Sequence, residues 1–138
     1  MSIRLNPYFT FTGQAREALE FYESVFGGEL KVASFKDFQA PVDPEFSEMV
    51  MHGELYTSHF IIQASDGAAI SRPENNATTN MECAVIGAAD EVELAREWFD
   101  KLQDGATQVM PLNQAPWGAH FGSLTDKFGI AWMFNFGG

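Results

Sequence analysis

The sequence has one cysteine, few basic residues and no long apolar run. Cys83 stands alone, so no disulfide can form within the chain, and nothing in the sequence points to a base that would activate it. The sequence has eight Lys and Arg residues and nineteen Asp and Glu residues, which gives a net charge of −11. A charge of this sign repels nucleic acid and anionic lipid. A bilayer-spanning helix needs about 18 consecutive apolar residues, and none is present. We therefore expect neither nucleic acid nor a membrane as a partner.

The size and the hydrophobic content fit one folded domain. The chain has 138 residues, of which 46% are hydrophobic, and its 13 Phe residues supply ample material for a core. Residues 1–7 lack the apolar segment of a signal peptide, so we expect a cytoplasmic protein. We predict a single domain over residues 1–138.

A first α/β module is predicted at about residues 1–67. Apolar residues recur every three or four positions between residues 14 and 26, which predicts a helix that ends at two glycines. Alternating patterns predict four strands, at residues 5–11, about 30–35, 48–56 and 59–64. The turn Ser65-Asp66-Gly67 closes this module.

A linker and a second module follow. Residues 68–79 contain turn formers and no periodicity, which predicts a linker. The pattern restarts in a module at about residues 80–138, with a strand at 82–86 and a helix at 90–102.

The two predicted helices match at a fixed offset. Phe21-Tyr22 corresponds to Trp98-Phe99, an offset of 77 residues. The same offset carries Ala18 to Ala95, Val25 to Leu102, Gly28 to Gly105 and Val32 to Val109. A shared aromatic pair, glycine and following strand indicate a duplication. Each half then has a strand, a helix and three strands in a mostly antiparallel sheet, an α+β arrangement whose apolar face needs a partner.

Six sequence blocks together cover nearly the whole chain: Pro7 to Gly13, Ala18 to Tyr22, Phe26 to Leu30, Met51 to Leu55, Trp117 to Gly122 and Thr125 to Asn135. These blocks resemble the PhnB-like family, a branch of the glyoxalase, bleomycin-resistance and dioxygenase superfamily. The resemblance implies two βαβββ modules forming the curved mixed sheet of the vicinal-oxygen-chelate fold. It also implies a homodimer and a small-molecule ligand site.

The metal ligands of that superfamily map onto weaker ligands in this chain. The resemblance implies one His, Gln or Glu ligand on each of four strands. The first position falls on Asn6 and the last on Met133, the second near Gln63, and the third near Glu82 or Cys83. Neither Asn nor Met is a good ligand for a hard or borderline cation. We expect no cofactor, and a divalent metal held by a reduced set that includes Gln63 and Glu82 is the alternative.

PhnB-like sequences have also carried the name of a 3-demethylubiquinone 3-methyltransferase. That reaction requires a methyl donor, and nucleotide-type donors usually bind a glycine-rich turn between a strand and a helix. Gly27-Gly28 follows a helix instead, so the residues give this reaction weak support.

Three side chains are candidate catalytic groups. His52 and Glu54 lie one residue apart on a predicted strand and would share one face, either as a base with its orienting carboxylate or as a plain cross-strand pair. His120 follows a loop-like stretch and is a candidate pocket imidazole. His59 is expected to be an exposed polar residue near a turn.

Five aromatic side chains are candidate substrate contacts: Phe9, Phe11, Trp117, Trp132 and Phe134. The tryptophans would stack on a planar ligand, and the phenylalanines would form an apolar wall if the sheet curves inward. The alternative for all of them is a place in the core.

Three functions remain open from the sequence. The leading hypothesis is a PhnB-like protein that binds or converts a small molecule without a complete metal site. The second is a metal-dependent lyase, isomerase, dioxygenase or resistance transferase, in which His52 joins Gln63 and Glu82 as a ligand. The third is a non-catalytic protein that sequesters a drug or toxin.

Overall fold

The computed structural model describes residues 4–71 and 81–137, which fall into two compact units. The first unit contains β1 (Tyr8–Thr10), α1 (Ala15–Phe26), β2 (Glu29–Ser34), β3 (Val50–Tyr56), β4 (Ile61–Ser65) and α2 (Ala68–Ser71). The second contains β5 (Cys83–Gly87), α3 (Val92–Leu102), β6 (Thr107–Gln114), β7 (His120–Thr125) and β8 (Ala131–Phe136). Within these described ranges, no helix is both long and apolar enough to span a bilayer.

Each unit is built on a four-stranded mixed sheet, and the two sheets have the same topology. The strand orders are β1-β4-β3-β2 and β5-β8-β7-β6. In both, the first strand pairs in parallel with the last, and the remaining pairs are antiparallel. The predicted α+β class and the two βαβββ modules are confirmed.

Helix α1 packs on one side of the first sheet, here called the helix face; the opposite side is the far face. The apolar stripe of α1 is buried, and Tyr22 contacts Phe9 of β1 edge to face, with 5.8 Å between the ring centroids. Gly53 in β3 has no side chain, and a Cβ there would collide with Leu19 Cδ1. The helix therefore lies close against the backbone of β3.

The N-terminus of α1 is capped by a residue from the other end of the unit. Its own N-cap residue, Gln14, makes no side-chain cap. Asp66, which follows β4 and is almost fully buried, accepts hydrogen bonds at Oδ1 from the backbone N–H groups of Gly13 (2.8 Å) and Ala15 (3.0 Å). Its Oδ2 accepts a third from the Val50 N–H at 3.1 Å. One carboxylate thus joins α1, β3 and β4.

A second buried carboxylate braces the turn between β7 and β8. Asp126 Oδ1 accepts from the backbone N–H groups of Phe128 (2.8 Å) and Ile130 (3.0 Å). Asp126 Oδ2 accepts from the indole Nε1–H of Trp132 at 2.8 Å. This bond fixes the ring of Trp132 under the turn.

Strands β3, β4 and β5 differ from the predicted bounds by one or two residues, and three further differences concern β1, the linker and α3. β1 begins at Tyr8 and not at residue 5, because its ladder with β4 reaches back only to Pro7, whose carbonyl accepts from the Gln63 N–H. The predicted linker starts with α2, where Ala68 and Ala69 are buried, and residues 72–79 of it lie outside the described residues. The helix predicted at 90–102 begins as a 3-10 turn, and α3 itself starts at Val92.

Candidate functional site

The far face of the first sheet gathers a set of polar side chains. Strand β3 alternates, so Gly53 and Leu55 point to the helix face while the residues between and beside them point away. The set, called the polar cluster below, consists of Tyr8, His52, Glu54, Tyr56 and Gln63.

The polar cluster is a continuous chain of contacts. The Tyr8 hydroxyl lies 3.0 Å from His52 Nδ1, and His52 Nε2 lies 3.1 Å from Glu54 Oε1. The Tyr56 hydroxyl donates to Glu54 Oε2 at 2.8 Å, and Gln63 Nε2 donates to the same oxygen at 3.5 Å. The His52 and Glu54 side chains are 36% and 26% exposed, so a ligand can reach them.

The hydrogen bond between Tyr56 and Glu54 shifts the pKa of both side chains. The Tyr56 hydroxyl, followed by His52, holds the pKa of the Glu54 carboxyl below its ordinary value of 4.5, against the opposing effect of partial burial. The same bond raises the pKa of Tyr56, because the phenol must keep its proton to donate it. Glu54 is therefore a carboxylate, which only accepts hydrogen bonds, at neutral pH.

Replacing Tyr56 by Phe should raise the pKa of Glu54 toward its ordinary value, because the donor with the largest effect is removed. A carboxyl whose pKa is depressed in the fold stabilises the fold above its unfolded pKa, and this contribution is lost as the pH falls through the folded value. The variant should lose less stability over that acidic range. NMR titration of the Glu54 side-chain carbon measures the shift. Tyr8→Phe, which removes a hydroxyl that contacts His52 and not Glu54, is the control, and an equal shift there would contradict the assignment.

The sheet register places part of the polar cluster in one row across all four strands. Tyr8 pairs with Gln63, Gln63 with Glu54, and Glu54 with Lys31 of β2. Neighbouring strands lie about 4.8 Å apart, so the row spans about 14 Å. Lys31 contacts Glu29 at 3.5 Å and lies over the ring of Tyr56. The polar side chains of this row therefore extend over a distance comparable to the length of a small organic molecule.

The predicted aromatic contacts are divided between core and surface. Phe9, Phe11, Trp132 and Phe134 are buried, and Phe134 contacts Phe99 of α3 edge to face at 5.3 Å. These four lie in the core, which is the alternative that the sequence left open. Strands β1 and β8 turn Phe9, Trp132 and Phe134 toward the helices, and Phe11 follows β1 directly. Trp117 is 68% exposed, at the tip between β6 and β7, with its ring edge to face against Phe121.

Helix α3 packs on one side of the second sheet through Phe99 and Phe134, and the opposite side is the far face of that sheet. His120 does not lie on this far face. It is the first residue of β7, half-buried and paired with Phe136, which points into the core with Trp132 and Phe134. It therefore stands on the helix-facing side at a strand end. Of the three candidate catalytic groups, the structure brings His52 and Glu54 together within the first unit, whereas His120 belongs to the second unit.

The side chains at the superfamily ligand positions are a poor set for a divalent metal. Asn6 and Gln63 offer neutral amides, and Met133 offers a thioether. Glu82 is the one carboxylate, exposed in a shallow depression of about 300 Å³ that Gln108 and Thr125 also line. In residues 4–71 and 81–137, no group of three His, Cys, Asp or Glu side chains forms a metal site. Burial and nearby Asp126 raise the pKa of the Cys83 thiol to about 11, so it is neither a ready ligand nor a nucleophile.

The far face of the second sheet differs in chemistry. The row that corresponds in strand order to Tyr8-Gln63-Glu54-Lys31 is Ala84-Met133-Ser123-Met110. This row contains no ionisable side chain, so it has no counterpart of the His52 and Glu54 pair.

Sequence reasoning missed Tyr8 and Tyr56. Tyr56 could have been predicted from its spacing. It lies two residues after Glu54, as Glu54 lies two residues after His52, so all three share one face of the strand. Tyr8 had a weaker signal, because it alternates with the buried Phe9. Its contact with His52 joins residues 44 positions apart, and only the strand order shows it.

Three known proteins resemble this chain over nearly its whole length. Protein YjdN of Escherichia coli (strain K12) is 28% identical over 142 residues, covering 95% of this chain and 93% of the relative. The crystal structure of protein PA1353 from Pseudomonas aeruginosa is 32% identical, with 98% of each chain covered and a TM-score of 0.75. A PhnB protein from Bacillus cereus, provisionally named a 3-demethylubiquinone-9 3-methyltransferase, shares the fold at 22% identity. It covers 97% of this chain and 99% of its own, with a TM-score of 0.68.

A family model extends over most of the chain. Residues 4–134 match the model described as the Glyoxalase/Bleomycin resistance protein/Dioxygenase superfamily. The match agrees with the two mixed sheets of identical strand order, and it confirms the resemblance drawn from the sequence blocks. The chain belongs to the Glyoxalase/Bleomycin resistance protein/Dioxygenase superfamily.

Proposed function

We propose that this chain binds and converts a small organic molecule on the far face of its first sheet, with His52 and Glu54 as an acid–base pair and without a complete metal site. The observation that carries the proposal is the 3.1 Å contact between His52 Nε2 and Glu54 Oε1 on a partly exposed sheet face. Imidazole changes its protonation near neutral pH, which suits it to accept and return a proton.

Glu54 has the role of the orienting carboxylate. Its Oε1 contacts the imidazole while its Oε2 accepts from Tyr56, so the carboxylate is fixed from both sides. An ionised carboxylate stabilises the imidazolium that forms when His52 takes a proton. A base that is oriented by a neighbouring carboxylate is a common arrangement in sites that transfer protons. In this proposal the pair acts without a metal ion that polarises the ligand.

Binding and turnover measurements test this proposal. We choose one probe for each of the three names in the superfamily description: a hemithioacetal of methylglyoxal and glutathione for the glyoxalases, bleomycin for the resistance proteins, and catechol with oxygen for the dioxygenases. Calorimetry measures binding, and product analysis measures conversion, each with and without added Mn²⁺. We expect at least one probe to be converted without added metal, with turnover about 100-fold lower in His52→Asn and Glu54→Gln, in the range of general acid–base effects.

His59→Asn is the matched control, because His59 lies at the turn between β3 and β4, outside the polar cluster. Its turnover should match that of the wild type. Turnover that requires one equivalent of metal would favour the metal-dependent lyase, isomerase, dioxygenase or transferase. Saturable binding without product, unchanged in both cluster variants, would favour sequestration of a drug or toxin.

The proposal includes a homodimer, as the family resemblance implies. Sedimentation velocity at micromolar concentration tests it, and a stable monomer would contradict it. The acidic charge of −11 supports a small-molecule ligand over nucleic acid.

A further inference from the structure

We infer that Tyr8 is the catalytic residue that contacts the ligand, and that the ligand is a small organic molecule that loses a proton from an O–H or from a C–H next to a carbonyl. This inference rests on the proposed function and deepens it. Tyr8 is 47% exposed, more than His52, and its hydroxyl lies 3.0 Å from His52 Nδ1. It is therefore the outermost group of the chain Tyr8-His52-Glu54.

The hydrogen-bond partners fix the direction in which protons move. Glu54 is ionised at neutral pH and only accepts, so the hydrogen between it and His52 belongs to His52 Nε2. In neutral imidazole the other nitrogen, Nδ1, then carries a lone pair and accepts from the Tyr8 hydroxyl. His52 Nδ1 can then take the Tyr8 proton as the Tyr8 oxygen reacts, as a general base does for a hydroxyl nucleophile.

The resulting step moves one proton off the ligand. The ligand O–H or C–H bond breaks, and its proton goes to the Tyr8 oxygen as the Tyr8 proton goes to His52 Nδ1. The products are the ligand anion, neutral Tyr8 and an imidazolium that faces the Glu54 carboxylate. Reversal of both transfers returns the proton to the same or another ligand atom, so no oxidant or reductant is needed.

The charges along the row limit where the ligand anion can form. Lys31 stands at the opposite end of the row from Tyr8, about 14 Å away by strand spacing, and it contacts Glu29 at 3.5 Å. The Glu54 carboxylate lies between them in the same row. The ligand atom that loses its proton is therefore expected beside Tyr8, at the end of the row away from these carboxylates.

Tyr56 provides an internal comparison for Tyr8. Both are partly exposed tyrosines of the polar cluster, 47% and 37% exposed. Tyr56 donates to a carboxylate, and its pKa is raised, whereas Tyr8 contacts His52 Nδ1, a ring nitrogen that can take its proton. The two phenols should therefore differ in reactivity.

Labelling by benzenesulfonyl fluoride at pH 8 tests the inference without any ligand. The phenol oxygen forms a bond to sulfur and fluoride leaves, and peptide mass spectrometry gives a rate for each tyrosine. We expect Tyr8 to react at least about tenfold faster than Tyr56, and this advantage to be lost in His52→Asn, as for a phenol with a general base. Tyr8→Phe verifies the labelled site, and His59→Asn should leave both rates unchanged.

The outcomes separate this inference from the proposed function. Equal rates for Tyr8 and Tyr56, or an advantage that survives in His52→Asn, would overturn the role of Tyr8. The Tyr56 rate in the same sample verifies that each variant is folded. In the turnover assay, activity that is lost in His52→Asn but kept in Tyr8→Phe would also overturn it, while leaving the His52 and Glu54 pair in place.

Discussion

The Asp66→Asn variant should lose about 3 kcal/mol of unfolding free energy, because a buried acceptor of three backbone bonds would gain a donor. One oxygen of the new amide can still accept from Gly13 and Ala15, but its NH₂ group would face the N–H of Val50. Two buried donors would then oppose each other without an acceptor. The negative charge near the N-terminus of α1 would also be lost.

Urea unfolding followed by far-ultraviolet circular dichroism measures this loss. Asp43→Asn is the matched control, since Asp43 is exposed and makes no side-chain cap at the short 3-10 turn that follows it. The control should change stability by less than about 0.5 kcal/mol. A loss below about 1 kcal/mol in Asp66→Asn would show that the carboxylate does not hold the three elements together.

The contact between Gly53 and Leu19 should produce strong coupling in a double-mutant cycle. Gly53→Ala places a Cβ against Leu19 Cδ1, and overpacking of this kind costs about 1–3 kcal/mol. Leu19→Ala removes a fully buried side chain and costs about 2–5 kcal/mol. In the double variant the new methyl group enters the space that Leu19 vacates, so its cost should be smaller than the sum.

Unfolding free energies of the four proteins measure the coupling. We expect the double variant to be more stable than additivity predicts by at least about 1 kcal/mol. Additive losses would mean that α1 shifts away from β3 in Gly53→Ala and that the close packing is not enforced. Gly67→Ala, whose Cβ would meet only the Ser65 hydroxyl at 3.2 Å, should show no coupling to Leu19→Ala.

Local patterns were sufficient to predict the elements and their repetition. The apolar stripes of α1 and α3 follow helical spacing, and Gly28 and Gly105 both adopt the left-handed backbone that the predicted helix ends require. The limits of β1 were not predictable in the same way, because they depend on where β4 begins. The same holds for Asp66, whose link to α1 joins residues 51 positions apart.

In the candidate site, too, local patterns predicted some features, and others depend on contacts between distant parts of the chain. Alternation placed His52 and Glu54 on one face, and the structure shows them 3.1 Å apart. Alternation also separates Phe9 from Tyr8, but it does not say which side a helix covers. The partner of His52 on β1 depends on strand order, a property of the whole unit.

The two sheets have the same topology, but the row Tyr8-Gln63-Glu54-Lys31 contains ionisable side chains and the corresponding row of the second sheet contains none. The close packing on the helix face depends on Gly53 under Leu19 and on Asp66 under α1. Tyr8, Gln63 and Lys31 take no part in these two contacts, so substitutions at these positions leave them in place. Such a protein can acquire a new substrate while its architecture stays the same, and after a duplication one copy is free to change its chemistry while the other keeps it.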